Sequence, residues 1–367
     1  MNRYLPHSGA WRLRRTALVV GSDAGAAAAA LELQGAFQVI VLESGGEAQP
    51  PGLPPGASLR AGLRGAEGAD ALRLDQALRG LGIDLDREFA ELAQELPAAT
   101  RHQRRWAPDT WRLFELCRQM SLDPQVSPKM PDARCLLEEA VRRGARRVRG
   151  ARVQRVTIDG GRATGVVALQ GARPSLLPDS LLILAAGGLL TPSILRHSGI
   201  DCGPARFADP VLQLSARRSG RDREIPTPFM VRREGFGLGP CLEPRSLCLR
   251  LLLADTPRSP GQNPPAQDQA RRQEAVELST EIFRRFGIRR EDLRLDEAAA
   301  GQPGGALPLT TREAHSLHPA ALPENLYVAD ATLLPSALGA PHLLTILALA
   351  RCVARAAGER ARELRAS

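Results

Sequence analysis

Two groups of residues in this sequence have the types and spacing that chemistry requires. The first is the turn Gly21-Ser22-Asp23-Ala24-Gly25-Ala26 together with Glu43, 22 positions after Gly21. A glycine-bearing turn that opens a helix offers backbone N–H groups to phosphate, and an acid after the next strand accepts hydrogen bonds from a ribose diol. Glu43 at a strand end could instead be a solvated charge, but its distance from Gly21 favours the ribose. The second group lies at the end of the chain, from Asp330 through Pro341, His342 and Thr345. Proline suits the first turn of a helix, so the positive end of that helix would face whatever lies beyond Pro341 and stabilise negative charge there. The imidazole of His342 titrates near neutral pH and can accept a proton. The plainer readings are that His342 packs or caps a helix start and that Asp330 caps the turn that follows it.

Elements that would carry these residues follow from periodicity. An apolar strand over 17–20, an alanine-rich helix to about Gly35 and a strand over 37–42 ending in Glu43 form a βαβ unit. Residues 48–70, rich in Pro, Gly and Ala, predict a loop. Residues 75–120 are helical, with Glu88, Glu91 and Glu95 opposite Phe89, Leu92 and Leu96, and a further helix covers 135–143. Alternating segments 153–158 and 163–169 flank Asp159-Gly160-Gly161 and predict a hairpin. A buried strand over 181–184 runs into Ala185-Ala186-Gly187-Gly188, and residues 201–265 form a second, partly β region. An amphipathic helix over 267–286 is followed by a strand at 325–329, a loop over 330–341 and a helix over 342–365.

Composition narrows the classes. With 367 residues, 43% of them hydrophobic, the chain excludes disorder, collagen, a disulfide mini-protein and a coiled coil, and it is long enough for two lobes. The +9 charge comes from 49 basic residues, all arginine except Lys129, spread along the chain with only 8 Phe, 2 Tyr and 3 Trp, which argues against a nucleic-acid surface. The Arg pairs at 142/143, 146/147 and 289/290 are expected to be solvated faces. Six cysteines without a C-x-x-C spacing predict neither a zinc site nor a disulfide framework, with Cys241 and Cys248 as small buried hydrophobes. His315 and His318 lack a third ligand and are expected in a surface loop, so no metal is expected. Gly21-Ser22-Asp23 interrupts the first apolar stretch too early for a signal peptide, and Pro335, Gly339 and Pro341 break the most apolar segment, so no membrane span and a cytoplasmic protein are expected.

Four segments in this order resemble the glucose-methanol-choline (GMC) family of flavin-dependent oxidoreductases. They are the opening βαβ with Glu43, Gly150-Ala151-Arg152-Val153, the run from Leu184 through Ala186, Gly187 and Pro192, and the ending from Asn325 through Asp330 and Ala331 with Gly339 to Ile346. Residues 266–286 and Pro303-Gly304-Gly305 resemble the bacterial branch. The resemblance implies an α/β fold with a Rossmann-like FAD-binding lobe assembled from 14–75, 131–200 and 319–367. A mainly helical cap segment, 76–130, and a reduced α+β substrate lobe, 201–318, would be inserted between them. It also implies a set of cofactor contacts: Gly21, Ser22 and Gly25 at the diphosphate, Glu43 at the ribose and Val153 at the adenine. Ala186 and Gly187 would pass close to the cofactor, and Asp330, Ala331 and Thr345 would touch the ribityl chain and flavin ring.

The chain departs from the family's pattern in four places. Asp23 stands where the second glycine of G-x-G-x-x-G lets the backbone approach the pyrophosphate. Two unit charges about 4 Å apart repel by roughly 4 kcal/mol at an effective dielectric near 20, so an ionised Asp23 would lower affinity by orders of magnitude unless its side chain turned to solvent or capped the helix. The second Gly-rich segment has no match in 48–70, a cysteine cluster before Cys135 is absent, and Gln302 replaces the His of a His-Pro motif. A neutral amide orients a hydroxyl but does not take its proton. The expected activity is FAD-dependent oxidation of a small-molecule CH–OH donor, with hydride passing to flavin N5, His342 as base, Gln302 orienting the substrate and an electron acceptor that the sequence does not name. The alternative is a degenerate, non-catalytic homologue that keeps the fold as a binding protein. An NAD-dependent Rossmann dehydrogenase would also explain Glu43, but not the matched ending.

Overall fold

The computed structural model describes residues 15–44, 75–96, 106–126, 134–168, 180–208, 210–218, 228–243, 245–254, 256–257, 263–298, 303–337 and 343–366. In chain order the elements are β1 (Thr16–Val20), α1 (Ala24–Glu32), β2 (Gln38–Glu43), α2 (Gln76–Arg79), α3 (Asp86–Glu95), α4 (Pro108–Gln119), β3 (Gln125–Val126), α5 (Arg134–Arg142), β4 (Arg146–Arg149), β5 (Val153–Asp159) and β6 (Arg162–Ala168). They continue with β7 (Leu181–Leu184), α6 (Leu190–His197), β8 (Val211–Arg217), β9 (Phe229–Arg233), β10 (Phe236–Glu243), β11 (Ser246–Leu253), α7 (Ala266–Phe286), β12 (Leu293–Ala298), β13 (Leu326–Val328) and α8 (Leu343–Ala366).

Two sheets organise the chain. Five parallel strands lie in the order β13-β7-β1-β2-β4, with Val19 beside Val41 on one side and Ile183 on the other. The chain leaves β1 toward β2 and later returns to the opposite side of β1 as β7, so the strand order reverses at β1. A crevice forms at the carboxyl ends of strands at such a switch point. The second sheet has six strands in the order β12-β8-β11-β10-β9-β3 and its described pairings are antiparallel. Its apolar face, with Leu212, Leu214, Leu249 and Leu251, packs with Leu113 and Phe114 of α4 and Ile282 and Phe283 of α7.

Alanine content explains how tightly the first lobe packs. In α1 every residue from Ala24 to Leu31 is buried, and the small side chains let the helix lie against both α8 and α5. The C-terminal helix is then held by charge. Arg351, 2% exposed, and Arg355 meet Glu32 of α1 and Glu91 of α3, with Glu95 completing the shell of Arg351 and Glu88 that of Arg355.

Partners remote in sequence decide where several segments pack. Within 76–130, Leu78, Leu85, Phe89 and Leu92 join the core of the parallel sheet, whereas Leu113, Phe114 and Cys117 join the second core. Helical spacing does not say which core an apolar stripe meets; here the arginines of α8 draw α3 to the first. The N–H groups of Gly305, Leu307 and Leu309 donate to the carbonyls of Ala331, Thr332 and Leu333, and Leu309 and Leu317 belong to the first core. Arg146 and Arg147 are not a solvated face but begin β4, which pairs with β2 from Ile40 to Glu43. The predicted loop over 48–70 lies outside the described residues.

Asn325 joins three parts of the first lobe. Its amide oxygen accepts from Ala163 N–H at 2.7 Å, and its nitrogen donates to the carbonyls of Ala163 at 2.9 Å and Ser180 at 3.0 Å, tying β6, the start of β7 and the start of β13. Replacing it leaves buried backbone groups without partners. Asn325→Ala is therefore expected to lower unfolding free energy by about 1–3 kcal/mol, checked by urea denaturation.

Candidate cofactor-binding site

The crevice at the switch point is shaped by residues that lack side chains. Gly21 follows β1 with φ +125°, and its N–H donates to the Leu42 carbonyl at 2.9 Å. A methyl group on Gly21 would lie 2.0 Å from the Ala185 carbonyl oxygen, and one on Gly25 would lie 1.8 Å from that of Ala329. The turn is thus clamped between the ends of β7 and β13, with the start of α1 directed into the crevice.

Ten cofactor residues were expected, and nine of them cluster at the carboxyl ends of the parallel strands or in the segment that continues from β4. Gly21, Ser22 and Gly25 follow β1, and Glu43 ends β2. Ala151 N–H donates to the Glu43 carbonyl at 2.9 Å, which brings the stretch leading to Val153 alongside β2. Ala186 and Gly187 follow β7 and are half-buried; Asp330 and Ala331 follow β13 and are buried. The tenth, Thr345, is buried in the first turn of α8. His342 and Gln302, the two expected catalytic residues, lie outside the described residues.

Hydrogen bonding assigns several of these groups before any ligand arrives. Asp330 is 4% exposed, and its carboxylate accepts from Gly187 N–H and Thr332 N–H, each at 2.9 Å, and from the Thr191 hydroxyl. Thr191 Oγ1 in turn accepts from Ala186 N–H at 3.0 Å. The backbone donors of Ala186 and Gly187 are therefore used inside the protein, and Asp330 caps the short 3₁₀ turn Ala331–Leu333. Burial pushes the Asp330 carboxyl above its ordinary range, against the opposing pull of these donors.

Glu43 is also engaged. Arg147 donates to it through Nε at 2.7 Å and Nη2 at 2.9 Å, and Arg149 lies 3.9 Å away. Burial alone would raise the Glu43 carboxyl, but the hydrogen bonds and charge of Arg147, with a further bond from Ser22, hold it below the usual glutamate range. A bidentate guanidinium leaves the outer lone pairs of the carboxylate to receive ribose hydroxyls. Arg147, Arg149 and Thr191 were missed as site residues. The run Arg146-Arg147-Val148-Arg149 immediately before Gly150 was the available signal, since its valine is the one apolar position of a short strand.

Asp23 is the discordant group. It occupies the N-cap position of α1 with extended backbone, yet its side chain makes no capping bond. Its Oδ2 lies 3.8 Å from where a methyl on Gly187 would stand, across the crevice. The side chain is open to the crevice but surrounded by protein mass, and that loss of solvation, followed by the charges of Asp330 and Glu43, pushes its pKa up to about 6. In backbone shape the cradle fits a diphosphate; an ionised Asp23 opposes one by charge.

Other chemistry-bearing residues stand apart. His318 packs edge-on against Tyr327 and donates through Nε2 to the Pro323 carbonyl at 3.1 Å, while His315 is exposed. No group of three or more metal-binding side chains occurs among the described residues. Cys241 and Cys248 are buried and opposite one another across β10 and β11, with no disulfide joining them. No helix among the described residues is long and apolar enough to cross a membrane.

Residues 112–207 match the model of a family described as GMC oxidoreductase, a span that includes Val153, Ala186 and Gly187. No curated protein matches the sequence. Among solved structures, pyridoxine 4-oxidase from Mesorbium loti is similar at 17% identity with a TM-score of 0.63, over 93% of this chain and 98% of that one. A formate oxidase from Aspergillus oryzae, described with a modification of its FAD, is similar at 13% identity and a TM-score of 0.65, over 95% of this chain and 99% of that one. A further formate oxidase structure gives 12% identity and a TM-score of 0.66, over 96% and 99%. These likenesses show the fold, and with the family match they show the resemblance that the sequence motifs imply.

Gly21 provides a direct test of the clamp. A side chain there meets the Ala185 carbonyl and forces a backbone angle that L-residues rarely adopt. Gly21→Ala is expected to cost roughly 2–5 kcal/mol of stability, measured by chemical denaturation.

Proposed function

Proceeding from a chain that resembles the GMC oxidoreductases in sequence and in fold, we propose an FAD-dependent oxidoreductase of the bacterial branch. It oxidises a small-molecule CH–OH donor by hydride transfer to flavin N5 and works in the cytoplasm with an electron acceptor still to be identified. The observation that carries this reading is the reversal of strand order at β1, where the ends of β1, β2, β7 and β13 converge around the turn that holds side-chain-free Gly21 and Gly25. In doubly wound sheets this is where dinucleotides bind.

Within that reading, Gly21, Ser22 and Gly25 hold the diphosphate, Glu43 holds a ribose and Val153 meets the adenine. Ala186, Gly187, Ala331 and Thr345 border the ribityl and flavin portion. Asp330 acts as a positioning residue, because its bonds fix Gly187, Thr191 and Thr332. Bound FAD would supply the hydride acceptor. His342 takes the proton from the substrate hydroxyl, a role imidazole can fill near neutral pH. Gln302, with both donor and acceptor on its amide, orients that hydroxyl.

A second reading, a non-catalytic homologue that uses the fold to bind a partner, is favoured by the Asp23 carboxyl in the crevice. Visible absorption after FAD addition and desalting separates the two readings. Retained flavin bands and their bleaching by an alcohol under anaerobic conditions support the enzyme; a colourless protein supports the second reading. His342→Ala is expected to lower turnover by about 10²–10⁴-fold while flavin is retained, and unchanged turnover would remove His342 from the mechanism.

A further inference from the structure

Three carboxylates stand near the start of α1, and their surroundings differ. Asp330 is saturated by Gly187 N–H, Thr332 N–H and the Thr191 hydroxyl. Glu43 is clasped by Arg147 and approached by Arg149. Asp23 has neither a hydrogen bond nor an ion pair among the described residues, although it sits where its side chain could cap α1. It is the one carboxylate of the three that no donor engages.

The groups facing Asp23 come from every element around it. Gly187, after β7, lies opposite its Oδ2. Asp330, after β13, and Glu43, at the end of β2, both add negative charge. The nearby cations of β4, Arg147 and Arg149, are directed to Glu43. From α1 itself there is no other acid in the first turn, and only the helix end favours the anion. A diphosphate entering this crevice adds further negative charge beside Asp23.

Resting on the FAD reading, we propose that the crevice takes up a proton together with the cofactor diphosphate and that Asp23 is the residue that receives it. The neutral carboxyl then changes from a repelling charge to an O–H donor facing a phosphate oxygen. The position of the second glycine in the phosphate turn thereby makes cofactor affinity depend on pH. The sign follows from linkage. A carboxyl whose pKa is raised to about 6 in the folded protein is neutral below that value, and an added anion raises it further, so binding is tight on the acid side and weakens as pH rises through and beyond 6. By reciprocity, FAD raises the proton affinity of Asp23 by the same factor that the proton raises the affinity for FAD.

The test is a titration of the full-length protein with FAD, followed by flavin fluorescence between pH 5.5 and pH 8.5 at constant ionic strength. For a single linked proton the dissociation constant is expected to rise about tenfold per pH unit on the alkaline side. Calorimetry at pH 7 in two buffers of different ionisation enthalpy is expected to report uptake of close to one proton per FAD. Asp23→Asn should flatten the pH dependence and bind at alkaline pH as the wild type does at acid pH; Asp23→Gly provides a second variant, and circular dichroism checks that each is folded. FAD binding that is independent of pH in the wild type, or an equal slope in Asp23→Asn, overturns the role of Asp23 and leaves the FAD reading standing. Failure of folded wild type and both variants to bind FAD at any pH overturns the FAD reading, and this inference with it.

Discussion

The close approach of backbone at Gly21 is the constraint on which the first lobe depends. With no side chain at Gly21 or Gly25, the turn after β1 sits directly against the carbonyls of Ala185 and Ala329. Three chain segments separated by more than a hundred residues are thereby brought to one edge. Asp330 then fixes that edge, since one buried carboxylate binds the turn after β7 and the turn after β13. Glycine makes the approach possible, and the aspartate keeps the two turns in register once they meet.

The same edge shows how environment divides identical chemistry into different tasks. Asp330, deep and saturated with donors, is a structural tie. Glu43, partly open and held by arginine, keeps its charge and remains able to accept hydroxyls. Asp23, facing the crevice without a donor, is neither tied nor paired, and its carboxyl is pushed up to about 6. Loss of solvation raises all three, and only at Glu43 do the donors outweigh it. Far from this edge, Arg351 and Arg355 perform the complementary task, joining α1, α3 and α8 through a shared set of glutamates.

Much of the first lobe was legible in the sequence because its signals are local. The β1-α1-β2 unit follows from apolar runs around a glycine turn, and the hairpin β5–β6 from Asp159-Gly160-Gly161 between alternating segments. Gly21, Glu43, Ala186, Gly187, Asp330 and Ala331 lie at the ends of parallel strands because each follows or ends a recognisable apolar run. What could not be read was decided by contacts remote in sequence. Arg146–Arg149 looks like a solvated basic run until Glu43, about a hundred residues earlier, supplies its partner. Glu88 resembles a surface acid, yet it is buried against Arg355. The strands from β8 to β12 were seen only as a partly β region, because arginine, proline and glycine interrupt the alternation, and an edge strand such as β12 carries charges along its length.

The central claim is that the turn after β1, clamped by the ends of β7 and β13, is where an adenine dinucleotide binds. Hydrogen–deuterium exchange with and without FAD at mildly acid pH tests it most directly. The account predicts slower exchange in peptides covering 20–27, 185–191 and 329–334, with little change across β8 to β11. Unchanged exchange in those three segments while FAD binds elsewhere on the protein would contradict it.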